Sequence, residues 1–261
     1  MLLAGQRPGK DPLAAAYGER FKALIPIAGK SMVCRVTETL LAVPSVRKIV
    51  VMAQDPEALL LGDLAPYRSH PRVEFHASGN GIATSIKELA GTGTAPWPVL
   101  VTTADHALLS RSMIETFLDG AAGADLSFGV GERAVVEAVY PQTKRTWLKF
   151  SDGHYSGANL FAFRNAKVVP ALDLWSGIEQ DRKKTFKIIG SFGPNLLLRA
   201  LTRSIGFGDA VRRAGKRLGV IAQPVVLPQA EAVIDVDKPD DVGLVEAIIA
   251  SARQCAENKQ G

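Results

Sequence analysis

Three stretches of the chain place charged residues where a phosphate-bearing ligand could be held. The first is Leu2-Leu3-Ala4-Gly5-Gln6-Arg7-Pro8-Gly9-Lys10, followed by Phe21-Lys22-Ala23-Leu24-Ile25-Pro26. An apolar start runs into a glycine turn, where the backbone can approach a ligand and aim N–H groups at phosphate oxygens. Arg7, Lys10 and Lys22 are then on hand to neutralise a polyphosphate. The spacing is neither G-x-G-x-x-G nor a Walker A loop, and taken alone the segment reads equally well as a basic surface loop. The second stretch is Val99-Leu100-Val101-Thr102-Thr103-Ala104-Asp105-His106. Its aspartate follows a buried strand at the carboxyl edge, where open α/β sheets bind ligands, and a hard carboxylate there suits Mg²⁺. The competing reading is that Asp105 caps the next helix or only ends the strand, although Ser110 is better placed as the cap.

The third stretch is Val233-Ile234-Asp235-Val236-Asp237-Lys238-Pro239-Asp240-Asp241. Read as a strand over Val233–Val236, it aims Asp235 and Asp237 from one face, ready to meet Asp105 around one metal. Asp237 also fits a helix-start signal before Pro239, and Asp240 and Asp241 are best explained by the helix dipole. A weaker fourth stretch, Ser78-Gly79-Asn80-Gly81-Ile82-Ala83-Thr84-Ser85, opens a helix whose first-turn N–H groups could hold a base edge or phosphate. Other candidates carry less. The four histidines lack zinc spacing. Gly190-Ser191-Phe192-Gly193 is no nucleophile elbow. Trp97, Trp147 and Trp175 read as packing residues, and the basic run at 212–217 reads as a solvated helix face or a surface for an anionic partner.

The elements that must position these residues alternate. β-branched runs at Ile49–Met52 and Val99–Thr103 are separated by amphipathic stretches at Ser31–Ala42, Asn80–Ala90 and Ser110–Gly120. That order argues for an α/β fold with a parallel sheet between helices. From about residue 125, Leu126–Val130, Val135–Tyr140, Thr146–Phe150 and Asn159–Phe163 follow closely and read as an antiparallel extension. Residues 165–218 read as helices with basic faces, Val220–Leu227 and Val233–Val236 as strands, and Pro239 as the start of a final helix. A first strand of Met1 to Leu3 is shorter than usual. With no repeat or linker, the expectation is one domain over 1–261, comprising a nucleotide half (1–125), an acceptor-side extension (126–230) and a last strand and helix (231–256).

Hydrophobic residues make up 47% and charged residues 22% of 261, ordinary for a globular chain able to bury a core. No apolar run approaches the ~20 residues of a membrane span, and the opening is not of signal-peptide type. The two cysteines, Cys34 and Cys255, form no zinc or redox pattern and suit a reducing cytoplasm. A net charge of +5 favours anionic ligands without requiring nucleic acid.

Taken together, LLAGQRPGK with FKALIPIAGKSM, then GNGIATS, VLVTTADHALLS and DVDKPDDV, resemble the MobA-like nucleoside triphosphate transferases, from Leu2 to about Ala247. The resemblance implies a Rossmann-like three-layer α/β/α fold of the GT-A type, mostly parallel with an antiparallel extension. It also implies Mg²⁺, and transfer of a nucleotidyl group from an NTP, GTP or CTP first, to a phosphorylated small molecule with release of pyrophosphate. Position by position, Leu3-Ala4-Gly5 match the nucleotide loop, with Arg7 and Lys10 beside it. Lys22 matches the phosphate-contacting lysine, Asp105 the metal aspartate, Asp235/Asp237 the pair before the last helix, and Ser78 to Ser85, with Gly79 and Ser85 as nucleotide contacts, the base-side stretch. Lys22 and Asp105 are then the catalytic pair, and Lys149 and Asn159 are acceptor-side candidates on position alone.

The chain departs from the family at Gln6, where a second glycine is usual, at Asp11-Pro12 after Lys10, and in the longer Pro12–Arg20 and 165–218 segments. These departures bear on the acceptor more than on the chemistry. Two alternatives stand beside this reading. One is a GT-A glycosyltransferase, which normally needs Asp-x-Asp where this chain has Thr103-Ala104-Asp105. The other is a non-catalytic nucleotide-binding protein.

Overall fold

A computed structural model of the chain describes residues 1–6, 9–79, 81–180, 198–199 and 202–258. In chain order the strands and helices are β1 (Leu2–Leu3), α1 (Pro12–Ala16), β2 (Pro26–Ile27), β3 (Lys30–Ser31), α2 (Met32–Leu41), β4 (Ile49–Ala53), α3 (Pro56–Leu59), β5 (Val73–Ala77), α4 (Ile82–Leu89), β6 (Val99–Thr103) and α5 (Arg111–Gly120). They continue with β7 (Leu126–Glu132), α6 (Arg133–Val139), β8 (Leu148–Phe150), β9 (Gly153–Phe163), α7 (Val169–Gln180), α8 (Phe207–Arg217), β10 (Ala222–Leu227) and α9 (Pro239–Glu257). Short 3₁₀ turns at Lys22–Leu24, Ala65–Tyr67, Ala166–Val168 and Ala230–Val233 join them. The result is the expected α/β fold, with alternating helices and mixed strand pairing.

By their contacts the residues fall into two compact units. One comprises Leu2–Ala77, Thr103–Arg111 and Ile234–Gly261; the other comprises Met1, Ser78–Thr102 and Ser112–Val233. In the first, β1 pairs in parallel with β4, and β4 with β5. All five residues of β4 are buried, as a strand covered on both faces requires. Beside it α2 is capped by Ser31, whose hydroxyl accepts from Cys34 N at 3.2 Å, and it buries Met32, Val33, Val36 and Leu40. Pro239 opens α9, and Asp241 Oδ2 accepts from the N–H groups of Asp237 and Lys238 at 3.0 and 2.9 Å. Asp241 therefore serves the helix start, as the sequence suggested.

In the second unit β6 and β7 flank β9 antiparallel, β8 pairs with β9, and β10 runs parallel to β7. The antiparallel extension is thus present, but its membership differs from the sequence reading. Residues Val135–Tyr140 were expected as a strand and instead belong mainly to α6. Val136 is fully buried, Val139 is exposed, and Arg133 pairs with Glu137 one turn on at 2.7 Å, so a helical period wins over β propensity in this short apolar run.

The strand expected at Val233–Val236 is also absent. A 3₁₀ turn ends at Val233 and residues 234–237 are irregular. Buried Ile234 and Val236 supply apolar content there, and Val236 N donates to Asp105 O at 3.0 Å without starting a ladder. Asp235 and Asp237 therefore do not share a strand face. Within 165–218, α7 and α8 are helical as expected, while residues 181–187 (DRKKTFK) and half of 196–203 (LLLRALTR) lie outside the described residues.

Candidate active site

The residues with chemical potential in the first unit gather where β1, the Thr103–Arg111 segment and the 234–238 segment come together. Leu3 lies opposite Met52 in the β1–β4 ladder, and its carbonyl accepts from Ala104 N at 2.9 Å. Ala4 N in turn donates to Met52 O at 2.8 Å. Those bonds bring the end of β1 beside Asp105, and the Val236 bond brings Asp237 to the same place. The expected meeting of two distant carboxylates is observed. Lys22 Nζ donates to Asp105 Oδ2 at 2.8 Å and to Asp237 Oδ1 at 2.5 Å. Sharing one nitrogen holds the two oxygens within two hydrogen-bond lengths of each other.

The site is graded from closed to open: side-chain exposure is 16% at Lys22, 24% at Asp105 and 56% at Asp237. Burial by itself lowers the Lys22 pKa. The charges of Asp105 and Asp237 and their hydrogen bonds outweigh that, and the net shift is upward. Lys22 is thus a fixed ammonium at neutral pH. Asp105 Oδ1 also accepts from Thr103 Oγ1 at 2.5 Å. With its oxygens turned to Lys22 and Thr103, Asp105 is not serving as the cap of α5. Its neighbour His106 is buried, and burial pushes its pKa down to about 4 against the opposing charge of Asp105. That imidazole is neutral and non-basic.

The loop after β1 is organised by residues that spacing alone does not expose. Gln6 Oε1 accepts from Lys22 N at 3.1 Å, and Gln6 Nε2 donates to Gly9 O and Arg20 O at 3.3 and 3.5 Å. Gln54, just past β4, accepts from Gln6 N at 3.1 Å and donates to Gln6 O at 2.7 Å. So Gln6 ties the loop to the backbone of Lys22, a task needing an amide with both donor and acceptor. Gly5 faces Gln54, whose amide nitrogen would stand 3.0 Å from an added Cβ. Lys10 is exposed, and Arg7 lies outside the described residues.

Asp235 is half-buried, and Asp237 is the member of the pair that reaches Lys22. Among the described residues, no three Asp, Glu, His or Cys side chains gather in one cluster; of the pair expected to offer one carboxylate beside Asp105, Asp237 is the member that shares Lys22 with it. Two converging carboxylates with an ammonium standing between them still suit a hard cation. Mg²⁺ uses one or two carboxylates and takes its other oxygens from phosphate and water.

Gly79, Ser85, Lys149 and Asn159 belong to the second unit. Ser85 Oγ accepts from Gly79 N at 2.9 Å and donates to Gly81 O at 2.7 Å. The buried Ser85 hydroxyl thereby folds the glycine loop. Helix α4 is engaged as well: in its first turn Ala83 N donates to Glu179 Oε2 at 3.1 Å and Thr84 meets Ser176 at 3.2 Å, and in its last turn Lys87 pairs with Asp173. Glu179 thus holds an N–H that the sequence offered to a ligand. Lys149 sits opposite His154 in the β8–β9 ladder, five residues before Asn159 along β9, a separation on the order of 15 Å for extended chain. The two acceptor candidates are not brought together. Asn159 has φ 49° at an irregularity in the β7–β9 register, a feature that re-aims a side chain.

Residues 13–184 match the MobA-like NTP transferase domain. The chain belongs to that family. Membership makes it a nucleotidyltransferase by class. The matched span of this MobA-like chain contains Lys22, Gly79, Ser85, Asp105, Lys149 and Asn159, whereas the opening loop and Asp235/Asp237 lie outside it. Among solved structures, a hypothetical transferase from Thermus thermophilus is 26% identical, with a TM-score of 0.74 over 92% of this chain and 97% of its own. The 4-diphosphocytidyl-2C-methyl-D-erythritol synthase of Anaerococcus prevotii is 9% identical, with a TM-score of 0.56 over 95% and 94% of the two chains. A CMP:2-keto-3-deoxy-manno-octonic acid synthetase, solved with CTP, is 14% identical, with a TM-score of 0.55 over 97% and 98%. The last two share the fold. No curated protein sequence matches.

Proposed function

We propose that the protein is a Mg²⁺-dependent nucleotidyltransferase that moves an NMP group from an NTP to a phosphorylated small molecule. The observation that carries this is the Lys22 ammonium shared by Asp105 and Asp237 beside the glycine loop. An acceptor phosphate oxygen attacks the α-phosphorus. The bond from that phosphorus to the bridging oxygen of the β-phosphate breaks, and pyrophosphate leaves with the electron pair. A phosphate monoester is largely dianionic at neutral pH, so the nucleophile needs no strong base. The neutral, buried His106 is consistent with a site that does without one.

Catalysis is then positioning and charge stabilisation. Lys22 holds phosphate oxygens through its ammonium, while Gln6 keeps its backbone in place. Leu3 and Ala4, paired in the sheet, set Gly5 to present main chain to the triphosphate, and Lys10 adds charge at the exposed rim. Asp105 and Asp237 would hold the metal, which supplies a Lewis acid for phosphate oxygens. Thr103 stands where a GT-A glycosyltransferase normally has its first aspartate and donates to Asp105, which favours nucleotidyl over glycosyl transfer. CTP leads the candidate nucleotides, because two of the solved structures of like fold are named for cytidine nucleotides, with GTP next.

The test is a pyrophosphate-release screen of four NTPs against phosphorylated acceptors in Mg²⁺. Acceptor-dependent release from CTP or GTP is expected. Absence of release from every pair, with hydrolysis of a nucleotide sugar instead, would favour glycosyl transfer.

A further inference from the structure

Helix α8 carries Arg212, Arg213, Lys216 and Arg217 within two turns. Positions 212/216 and 213/217 are like-charge i,i+4 pairs, which repel on a helix. The helix C-terminus offsets this for Lys216 and Arg217, and Arg212 pairs with Asp209. The helix lies hard against β10. A Cβ on Gly215 would stand 2.6 Å from Ala222 Cβ and 2.8 Å from Val220 O. Beyond the helix the chain turns at Gly219, with φ 72° and open space around it.

This turn bounds a cavity of about 370 Å³ lined by Asp125, Lys167, Arg212, Lys216 and residues 219–222. Asp125 is the one carboxylate lining it, and its charge also acts on Lys167. Its Oδ2 accepts from Ile221 N at 3.0 Å and its Oδ1 from Asn165 Nδ2 at 2.9 Å, so the carboxylate braces the floor. Three cations from two elements thus line the hollow against the charge of Asp125 and of Asp209, the partner of Arg212, which leaves positive charge in excess, beside an apolar wall of Val220, Ile221 and Ala222. None of Lys22, Asp105 and Asp237 lines this cavity.

We propose that the cavity is a second anion site, binding a small organic phosphate. The phosphate is held by Lys167, Arg212 and Lys216, and the apolar body of the ligand lies on residues 220–222. The volume falls in the range of small-molecule pockets. The cavity's three lining cations are fewer than the ~6–10 phosphate contacts of a typical duplex-binding protein. An anionic phospholipid headgroup offers the same chemistry, and the free phosphate ester is the source assigned here.

The experiment titrates phenyl phosphate into the full chain at low ionic strength, following backbone amide shifts by heteronuclear NMR. Saturable shifts at the amides of 219–222 are expected. Affinity should fall at least tenfold in the Lys167→Gln/Lys216→Gln double variant, with an unchanged melting temperature, and should be retained in Lys216→Arg. Equal affinity in the double variant, or shifts confined to residues 3–22, overturns the proposal. A parallel arm uses phosphatidylglycerol vesicles. Sedimentation with vesicles that depends on Lys167 and Lys216, without amide shifts from phenyl phosphate, overturns the free-ester ligand in favour of a membrane surface.

Discussion

At Lys22, two carboxylates share one ammonium at the point where a divalent cation would stand. In the proposed mechanism, metal and ammonium compete for the same oxygens, and the arriving triphosphate gives Lys22 a new partner. Lys22→Met should therefore strengthen Mn²⁺ binding without nucleotide by about tenfold, because no ammonium need be displaced, while weakening NTP binding by a similar factor, as expected for a lost charge-assisted contact. Mn²⁺ titration followed by electron paramagnetic resonance reads the first effect and calorimetry the second. Unchanged or weaker Mn²⁺ affinity would mean that Lys22 does not hold the cation's place. Lys22 and Asp105 were legible in the sequence because each follows a local landmark, a glycine turn or a strand end. Gln6 was visible only as a departure from a family glycine. Its bonds reach Lys22 and Gln54 across 16 and 48 residues, and no local pattern encodes them. The choice of Asp237 over Asp235 was hidden for the same reason.

Among the elements, close approach and buried charge make separate predictions. Gly215→Ala forces a methyl against Ala222 and the Val220 carbonyl, and backbone cannot yield as a side-chain tip does. The substitution should cost about 1–3 kcal/mol despite its better helix propensity, read as a lower midpoint in urea. A neutral or stabilising result would show that α8 has room to move. Asp125 provides the pH test. Its hydrogen bond from Ile221 N, the largest influence, and that from Asn165 hold its pKa below the ordinary carboxylate value of 3.8. A depressed carboxylate contributes stability that is present above its unfolded pKa and lost as pH falls through the folded one. Asp125→Asn should thus lower the melting temperature at neutral pH and flatten its fall below about pH 4; a parallel acid limb in both proteins would contradict this.

The long amphipathic segments were readable because their periodicity spans several turns. The short ones, 133–139 and 233–236, were not. A few apolar residues satisfy helix, strand or buried loop alike, and their burial is decided by partners far along the chain.

For the whole molecule, the family, the α/β fold and the absence of any described helix long and apolar enough to cross a membrane agree with the sequence reading. The division of labour is less plain in the sequence. The Lys22–Asp105–Asp237 cluster lies within one compact unit assembled from three separate stretches, while Gly79, Ser85, Lys149 and Asn159 lie in the other. The sequence reading has one domain whose strand spacing changes near residue 125, whereas the chain enters and leaves each compact unit more than once, a feature of topology rather than of local pattern. The net charge of +5 accords with anionic substrates for both the proposed active site and the α8 cavity.

The central claim is that Asp105 and Asp237, with Lys22, carry metal-dependent nucleotidyl transfer. Its most direct test is the rate of Mg²⁺-dependent pyrophosphate release, measured side by side for the wild-type chain, Asp105→Asn, Asp237→Asn and Asp235→Asn with the best NTP–acceptor pair. Asp105→Asn should lose about 10²-fold or more, Asp237→Asn a large factor and Asp235→Asn a smaller one, all at unchanged melting temperature. Wild-type turnover in Asp105→Asn would contradict that claim.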